Sequence, residues 1–464
     1  MSRTHASLGD LLAGAPDIAV YSGGAVTTRS QLEAQANAMA DDLRSRGIGP
    51  GDVVAVQLPN GPAIVAALFG TWRAGAVYAP LNPRAPRDEI ESSLSSFAAA
   101  AVVTENGIAN LDHAVAQDDD VALVQLTSGT TGPPKAVPLR HATVLGLIDG
   151  VLASIRGKAS SSSTPARPPM PNLVPVSLSL WAGIYQVLFA FRVGAPIVLM
   201  DRFDTAAFAR LVREFDIRST TLPPAAMTML TDDESLTNLE PLRMIRSITA
   251  PLSPVQARRF RDRFGVVVLN SYGQTELGGE VIGWNAADSR EHGEKKLGSV
   301  GRPHQGVDVR ADGDGELLVR TPDTAAGHVS PDLATRLTGD GWLRTGDLGR
   351  VDDDGFVWVE GRVSDMINRG GLKVFPAQVE EVLMASPAVR DAAVVGMPDE
   401  RLGEAPWAFV VPAVGAVDAD ALLAWCRERL TPYKVPVRIV EVDALPRNEV
   451  GKVLKRDLVA RDDR

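Results

Sequence analysis

The chain has 464 residues, more than one compact domain usually holds, so we expect two or more domains. Hydrophobic residues make up 45% and charged residues 22% of the chain, which is typical of a soluble globular protein. With 47 basic and 57 acidic residues the formal net charge is −10, which disfavours binding to nucleic acid and to anionic membranes. The single cysteine, Cys426, excludes an internal disulfide and cysteine-ligated metal clusters.

The sequence shows no targeting segment and no membrane span. Asp10 lies where a signal peptide would need a continuous apolar core. The two most apolar stretches, 63–81 and 180–200, are interrupted by Arg73 and Arg192, so neither supplies the roughly 20 apolar residues of a membrane-spanning helix. We therefore expect a cytoplasmic protein.

Short buried strands alternate with helical patterns in the first half of the chain. Thr28 is expected to cap a helix that ends near 47–51, and a strand over 53–58 precedes a second helix over 63–76. Such alternation is typical of βαβ units, so we predict an α/β fold with largely parallel sheets. Further strands of the same kind are predicted at 121–126, 197–200, 219–222 and 266–269.

The pattern changes beyond about residue 309, where short strands are separated by Asp/Gly turns. This predicts a small antiparallel β subdomain. Helical patterns return at 377–384 and 419–430, and the remaining chain is long enough to fold on its own. We therefore predict a large N-terminal domain over 1–362 and a small α+β C-terminal domain over 363–464.

The segment 126–135 reads LTSGTTGPPK and follows a predicted buried strand. Open α/β sheets bind ligands at the carboxyl ends of their strands. Hydroxyl groups, two glycines and a lysine suit a polyphosphate, although the Walker spacing GxxxxGK[ST] is absent, and an ordinary Ser/Thr/Gly turn is the alternative. The candidate phosphate-binding residues are Thr127, Ser128, Gly129, Thr130, Thr131, Gly132 and Lys135.

This segment resembles the phosphate loop of the adenylate-forming superfamily, which includes acyl-CoA synthetases, adenylation domains of peptide synthetases and luciferases. NSYGQTE at 270–276 resembles the YGxTE segment of that family, and RTGDLG at 344–349 resembles its TGD segment. The stretch 361–376 resembles its hinge region, and PRNEVGK at 446–452 its C-terminal lysine motif. The resemblance extends from about 18 to 458 and is strongest to acyl- or aryl-CoA ligases.

The resemblance implies that ATP, Mg²⁺ and coenzyme A bind to this chain. Tyr272 would offer a flat face for adenine, Thr275 a hydroxyl for the α-phosphate and Glu276 an oxygen ligand for Mg²⁺. Asp347 would accept hydrogen bonds from the ribose hydroxyls, and Arg362 would contact ribose or phosphate. The other nucleotide- or CoA-binding candidates are Ala250, Pro251, Gly273, Gly370 and Gly371.

Three of these residues also have ordinary structural interpretations. Glu276 could be a solvated carboxylate at a strand end, and Asp347 could cap a turn. Arg362 could form a surface salt bridge of small energetic value. The family resemblance favours the functional roles.

Lys452 lies in a Gly-Lys turn near the C-terminus that we expect to be exposed. By resemblance it would bridge the substrate carboxylate and the α-phosphate, stabilising the charge that develops there. A carboxylate would attack the α-phosphate to give acyl-AMP and pyrophosphate, and a thiol would then displace AMP. The C-terminal domain would rotate about Ser364 between the two steps, exchanging Lys452 for the loop at Gly370 and Gly371.

The resemblance places the acid pocket between a helix over 181–185, a strand over 247–250 and a turn over 277–280. The candidates Trp181, Tyr185, Ile248, Leu277 and Gly278 make it largely apolar, which disfavours a buried cationic group. Ile248 stands where the family usually has glycine, and Leu178 or Leu180 where it often has histidine. We expect a neutral-tailed aromatic or medium-chain monocarboxylate, with Glu280 as a further residue that could line the pocket.

The leading hypothesis is an ATP-dependent carboxylic acid–CoA ligase. The first alternative is an acyl-AMP ligase that loads the phosphopantetheine of a carrier protein in trans. Amino-acid adenylation is disfavoured because 172–200 contains no acidic residue to pair with a substrate ammonium. A nucleotide-binding pseudoenzyme is disfavoured by the intact Lys452 and Glu276. The identity of the acid and the oligomeric state stay open.

Overall fold

The computed structural model describes residues 7–13, 17, 19–112, 114–127, 135–156, 169–325, 331–448 and 451–460. The strands are Ala19–Ser22 (β1), Ala25–Thr28 (β2), Val53–Val56 (β3), Val77–Pro80 (β4), Ala101–Thr104 (β5), Gly107–Asn110 (β6), Val121–Thr127 (β7), Lys135–Arg140 (β8), Asn172–Val174 (β9), Ile197–Leu199 (β10), Ser219–Leu222 (β11), Met244–Ser247 (β12), Val267–Asn270 (β13), Tyr272–Gln274 (β14), Gly279–Gly283 (β15), Arg302–Pro303 (β16), Asp308–Ala311 (β17), Glu316–Arg320 (β18), Leu343–Val351 (β19), Val357–Arg362 (β20), Ile367–Arg369 (β21), Leu372–Val374 (β22), Val389–Asp399 (β23), Gly403–Pro412 (β24) and Arg438–Glu441 (β25).

Helices connect most of these strands. They are Asp10–Ala13 (α1), Arg29–Ser45 (α2), Pro62–Ala74 (α3), Arg87–Phe97 (α4), His141–Arg156 (α5), Trp181–Val193 (α6), Thr205–Glu214 (α7), Pro224–Asp232 (α8), Pro254–Phe264 (α9), Ala286–His292 (α10), Pro322–Ala325 (α11), Pro331–Ala334 (α12), Pro376–Met384 (α13), Ala419–Arg429 (α14) and Lys455–Val459 (α15). Short 3-10 helices cover Thr275–Leu277, Val363–Asp365 and Pro432–Lys434.

Two mixed sheets and one parallel sheet form the large N-terminal part. The six-stranded sheet has the order β6-β5-β3-β4-β7-β8, with parallel pairing from β5 to β7 and antiparallel strands at both edges. A second sheet, β2-β1-β10-β9, is parallel except for β2, and a third, β11-β12-β13, is parallel throughout. The predicted α/β class with largely parallel sheets is confirmed.

The core of this part lies between helices and sheets. α2, α3 and α6 bury apolar side chains such as Leu32, Phe69 and Phe191 against the six- and four-stranded sheets, and these residues belong to one contiguous cluster. The predicted cap of α2 is confirmed, because the Thr28 side chain accepts a hydrogen bond from the Gln31 backbone N–H, and Gln31 Oε1 accepts one from the Thr28 backbone N–H at 2.9 Å. Among the described residues, no helix is both long and apolar enough to cross a membrane.

Two antiparallel sheets follow, one of three strands (β14-β15-β16) and one of four (β17-β18-β19-β20). The second is the small β subdomain that the Asp/Gly turns predict. After β20, a separate sheet of β21–β25 packs with α13 and α14 around its own apolar cluster, which includes Leu383, Val394 and Cys426. The chain thus has a large α/β part and a small α+β part, as predicted.

Candidate active site

The phosphate-loop candidates join two paired strands. β7 ends at Thr127 and β8 begins at Lys135, and these two residues are partners in the antiparallel register. The loop therefore leaves the carboxyl end of a central strand, as the sequence predicts. Its other candidates, Ser128, Gly129, Thr130, Thr131 and Gly132, lie outside the described residues.

Tyr272 and Asp347 meet across two sheets. The Tyr272 hydroxyl donates a hydrogen bond of 2.7 Å to Asp347 Oδ2, and Arg362 Nε lies 3.1 Å from Asp347 Oδ1. Burial, followed by the Asp347 charge, raises the pKa of Tyr272 well above its usual value, so the phenol stays protonated and keeps donating. The structure thus brings together three residues that the sequence placed in the nucleotide site.

Gln274 completes this cluster and was missed by the sequence analysis, because it occupies the variable position of the YGxTE pattern. Its side-chain N–H₂ group donates to Asp347 Oδ2 at 2.6 Å and to the Thr345 carbonyl at 2.9 Å. The Asp347 carboxylate is held by Tyr272, Gln274 and Arg362 together. It is therefore fixed in place and remains an acceptor, since a carboxylate offers about four lone-pair positions.

The remaining nucleotide candidates surround the end of β14. Thr275 and Glu276 are half-buried in the 3-10 helix that follows Gln274, and Gly273 is exposed within β14. Ala250 and Pro251 lie in the loop before α9. Among the described residues, no group of three or more His, Cys, Asp or Glu side chains is arranged to hold a metal ion.

Lys452 lies in a turn that is docked onto the N-terminal part. Its side chain is half-buried, so the expectation of an exposed turn was wrong. Burial, with the Arg362 charge, lowers the pKa of Lys452, while Asp365 and Asp347 act in the opposite direction. The lysine ammonium is therefore within electrostatic range of the cluster around Asp347.

The candidate hinge, Ser364, and the candidate loop at Gly370 and Gly371 lie in the part of the chain that follows β20. Ser364 is exposed in the 3-10 helix after β20, and its hydroxyl donates to Asp365 Oδ1 at 3.0 Å. Gly370 and Gly371 form the two-residue turn between β21 and β22 with φ values of 59° and 88°. Two left-handed residues are what a tight hairpin of this kind requires.

The candidate acid pocket is built on α6 and the turn after Glu276. The Trp181 indole donates a hydrogen bond of 3.1 Å to the carbonyl of Gly278, and the Trp181 and Tyr185 ring centroids are 5.8 Å apart in an edge-on arrangement. Leu277, the residue before Gly278, is buried. The strand predicted over 247–250 lies three residues earlier, at Met244–Ser247. Ile248 begins a loop, because Thr249 adopts φ 73° and breaks the extended backbone.

Three charged or titratable side chains form a buried cluster beside the pocket candidates, which we call the Glu280 cluster: Arg246, Glu280 and His304. Arg246 Nη1 and His304 Nε2 both contact Glu280 Oε1, the second at 2.8 Å. Burial raises the pKa of Glu280, but Arg246 and His304 outweigh it and the pKa is lowered. From the sequence, Glu280 is only a further residue that could line the pocket, and no local pattern indicates its partners Arg246 and His304.

Comparisons with known proteins agree with the ordered motifs. The AMP-binding enzyme family matches residues 12–117 and 109–329, and the C-terminal domain of AMP-binding enzymes matches 378–452. A feruloyl-CoA synthase of Amycolatopsis sp is 31% identical, with 95% of this chain and 95% of the relative covered. A long-chain-fatty-acid–CoA ligase of Mycobacterium tuberculosis is 29% identical, with 92% of each chain covered.

Solved structures are similar over nearly the whole chain. An amide bond synthetase of Marinactinospora thermotolerans has a TM-score of 0.83 at 27% identity, covering 98% of this chain and 99% of the other. The o-succinylbenzoate CoA synthetase of Bacillus subtilis, in complex with its acyl-adenylate intermediate, has a TM-score of 0.82 at 25% identity, covering 97% of each chain. The chain therefore belongs to the AMP-binding enzyme family, the adenylate-forming superfamily that its ordered motifs indicate.

Proposed function

We propose that this chain activates a neutral-tailed aromatic or medium-chain monocarboxylic acid with ATP and transfers the acyl group to coenzyme A in the cytoplasm. The chain is an AMP-forming acid–CoA ligase, in agreement with relatives that match it over nearly their whole length. The reaction has two steps. The carboxylate displaces pyrophosphate from the α-phosphate of ATP, and the CoA thiol then displaces AMP from the acyl carbon.

The nucleotide is expected to lie against the Tyr272–Asp347 cluster. Asp347, held by Tyr272, Gln274 and Arg362, is a fixed acceptor suited to ribose hydroxyls. Mg²⁺ commonly binds through one or two carboxylates together with substrate phosphates and water, and Glu276 supplies such a carboxylate. When bound, the ion would neutralise phosphate charge. The loop 127–135 is proposed to surround the phosphates.

Lys452 is proposed to act in the first step. We propose, by analogy with the family, that its half-buried ammonium, which is within electrostatic range of Asp347 and Asp365, lies where the carboxylate and the α-phosphate meet. A preorganised cation there stabilises the charge that develops in the transition state. We propose that the domains divide at 362/363, that Ser364 is the hinge and that the Gly370–Gly371 turn replaces Lys452 for the second step.

One observation carries the assignment of the acid pocket. The hydrogen bond from Trp181 to Gly278 joins α6 to the turn directly after Glu276, so the aromatic face of α6 adjoins the proposed metal ligand. Trp181, Tyr185 and Phe189 follow one another along that face, with neighbouring ring centroids 5.8 and 6.4 Å apart. Such a face suits an aromatic or hydrocarbon tail. Ile248 is half-buried in the loop after β12, and we propose that it narrows the opposite side of the pocket.

The proposed acid class can be tested by comparing kcat/KM for benzoate, cinnamate, hexanoate, palmitate, succinate and phenylalanine with ATP and CoA. AMP release and thioester mass are measured together. A preference for benzoate, cinnamate or hexanoate is expected, whereas a preference for phenylalanine, succinate or palmitate would contradict the pocket assignment. Acyl-AMP formation without transfer to CoA, followed by transfer to a phosphopantetheinylated carrier protein, would instead support the carrier-loading alternative.

A further inference from the structure

The Glu280 cluster brings a full positive charge and a full negative charge into contact at the wall of the proposed acid pocket. Arg246 lies in β12, two residues before Ile248, and Glu280 lies in β15, two residues after Gly278. The Arg246 and Glu280 side chains are 17% and 10% exposed, so both ions are largely withdrawn from water. Buried charges of this kind are tolerated only when they are paired.

The charges of Glu280 and Arg246 both act on Tyr185, one of the residues that we assign to the acid pocket. Glu280 and Arg246 shift the pKa of Tyr185 in opposite directions, and burial is the larger cause that raises it. The Tyr185 hydroxyl oxygen is inaccessible to water and has no hydrogen-bond partner among the described residues. Gly279 lies alongside, since a methyl group built on it would be 3.3 Å from the Trp181 indole nitrogen and 3.8 Å from the Tyr185 ring. The Glu280 cluster therefore borders the aromatic face that we assign to the acid.

The surrounding backbone is shaped to accommodate the cluster. A methyl group built on Gly283 would collide with Glu280 Oε1 and lie 3.1 Å from Arg246 Nη1 and 3.0 Å from His304 Cε1. His304 is held from its other side, because its Nδ1 is 3.1 Å from the Ser154 hydroxyl. Arg246 also donates to the Trp284 carbonyl at 3.3 Å. The three side chains are thus fixed rather than free to turn toward solvent.

We propose that Glu280 is a specificity-determining residue: by cancelling the charge of Arg246 at the pocket wall, it excludes acids that carry a second carboxylate. This inference rests on the proposed function, since it requires the Trp181–Tyr185 face to bind the acid. The charges of Arg246 and Glu280 cancel each other within this contact. The second carboxylate of a diacid would gain little from an arginine whose charge Glu280 already compensates. It would also lose its hydration next to the Glu280 carboxylate.

The Glu280→Gln variant tests this proposal because it leaves Arg246 as an uncompensated cation of unchanged size. The readout is kcat/KM for terephthalate divided by that for 4-methylbenzoate, which is neutral at the same position; adipate and heptanoate form the equivalent aliphatic pair. We expect the ratio to rise about tenfold or more in Glu280→Gln, because a buried cation strongly favours an opposite charge. The double variant R246Q/E280Q removes both charges and should return the ratio to that of the wild type.

A second variant, Arg246→Gln, tests the proposal with the opposite charge if Glu280→Gln does not fold. Arg246→Gln removes the permanent cation that pairs with Glu280, so kcat/KM for 4-(aminomethyl)benzoate should rise about tenfold relative to that for 4-ethylbenzoate. Asp288→Asn is the matched control, because Asp288 is a buried carboxylate in α10. It pairs with Arg302 of β16 at 2.8 Å and forms no ion pair with Arg246 or His304. Folding of each variant is checked by its melting temperature.

The outcomes separate the two proposals. The role of Glu280 is supported if Glu280→Gln raises the kcat/KM ratio for the dicarboxylates and Arg246→Gln raises it for the aminomethyl acid. Asp288→Asn should leave both ratios unchanged. Ratios that stay within about twofold of the wild type in the folded variants overturn it, although the ligase activity stands. Failure of the wild type to activate any of the neutral acids overturns the proposed acid class instead.

Discussion

Gly451, the residue before Lys452, packs against Ala225 at the start of α8, and a methyl group built on Gly451 would lie 2.7 Å from the Ala225 Cβ atom. Gly451 also has φ 78°, which favours glycine. This contact between the C-terminal turn and the N-terminal part keeps Lys452 within electrostatic range of Asp347 and Arg362. The docked turn corresponds to the arrangement that we propose for acyl-AMP formation.

Gly451→Ala should selectively slow the first step. Left-handed strain and the contact with Ala225 together cost about 1–3 kcal/mol in the docked arrangement, which corresponds to a rate loss of about fivefold to 150-fold. Acid-dependent pyrophosphate exchange measures this step, and thioester formation from supplied acyl-AMP measures the second. Gly415→Ala is the control, since Gly415 has φ 64° but no neighbour near its Cβ position. Equal loss in both steps would argue against a docking role.

Lys452→Ala should abolish most of the first step while the fold survives. Removing one preorganised electrostatic contact to a transition state commonly costs about 2.7–4 kcal/mol, or 10²–10³ in rate. Thioester formation from supplied acyl-AMP should persist. Lys455→Ala serves as the control, because Lys455 pairs with Glu380 at 2.7 Å rather than with the cluster. Near-normal pyrophosphate exchange in Lys452→Ala would show that another residue does this work.

The lowered pKa of Lys452 predicts a pH dependence of the first step. A lysine must be protonated to stabilise negative charge, and burial together with Arg362 moves its pKa below the ordinary lysine value. Activity in the free enzyme should therefore be present below this lowered pKa and be lost as the pH rises through it, earlier than for an ordinary lysine. The profile of kcat/KM for the first step reports this pKa. In Lys452→Arg, any remaining activity should lack the alkaline fall, because arginine stays charged.

Ser364→Pro should uncouple the two steps if Ser364 is the hinge. Proline fixes φ near −65° and would hold the domains in one orientation, so only one of the two steps should survive. Ser364→Ala keeps the backbone free and should support both. Pyrophosphate exchange and thioester formation from acyl-AMP are measured on each variant. If Ser364→Pro affects both steps equally or neither, the hinge lies elsewhere, with Asp365 as the next candidate.

Thr249→Gly should stabilise the fold. Thr249 is exposed and adopts φ 73°, a conformation that is strained for a β-branched residue. Glycine removes strain of about 1–3 kcal/mol but loses about 0.5–1 kcal/mol through the greater entropy of the unfolded chain, so a net gain of about 1 kcal/mol is expected. Denaturant unfolding measures the change, and Thr249→Ala should give a smaller one. A loss of stability would mean that the threonine side chain makes a contact that outweighs the strain.

The sequence by itself determined the elements and the family. Local periodicity and turn residues can be recognised directly in a sequence. They predict the capped helix after Thr28, the short parallel strands and the Asp/Gly-rich β subdomain. Ordered motifs with Tyr272, Asp347 and Lys452 identified the superfamily, because their residue types and order are specific. Strand ends were harder to predict: the strand expected over 247–250 is Met244–Ser247, three residues earlier.

Tertiary structure alone decided what surrounds those residues. Gln274 reaches Asp347 across 73 positions, and Arg246 and His304 are separated from Glu280 by 34 and 24 positions. No local pattern relates side chains so distant in sequence, and the pairing arises only when β12, β15 and the segment around β16 come together. A buried arginine and glutamate are each improbable alone and stable as a pair, so their position in the core follows from packing and charge compensation rather than from local sequence.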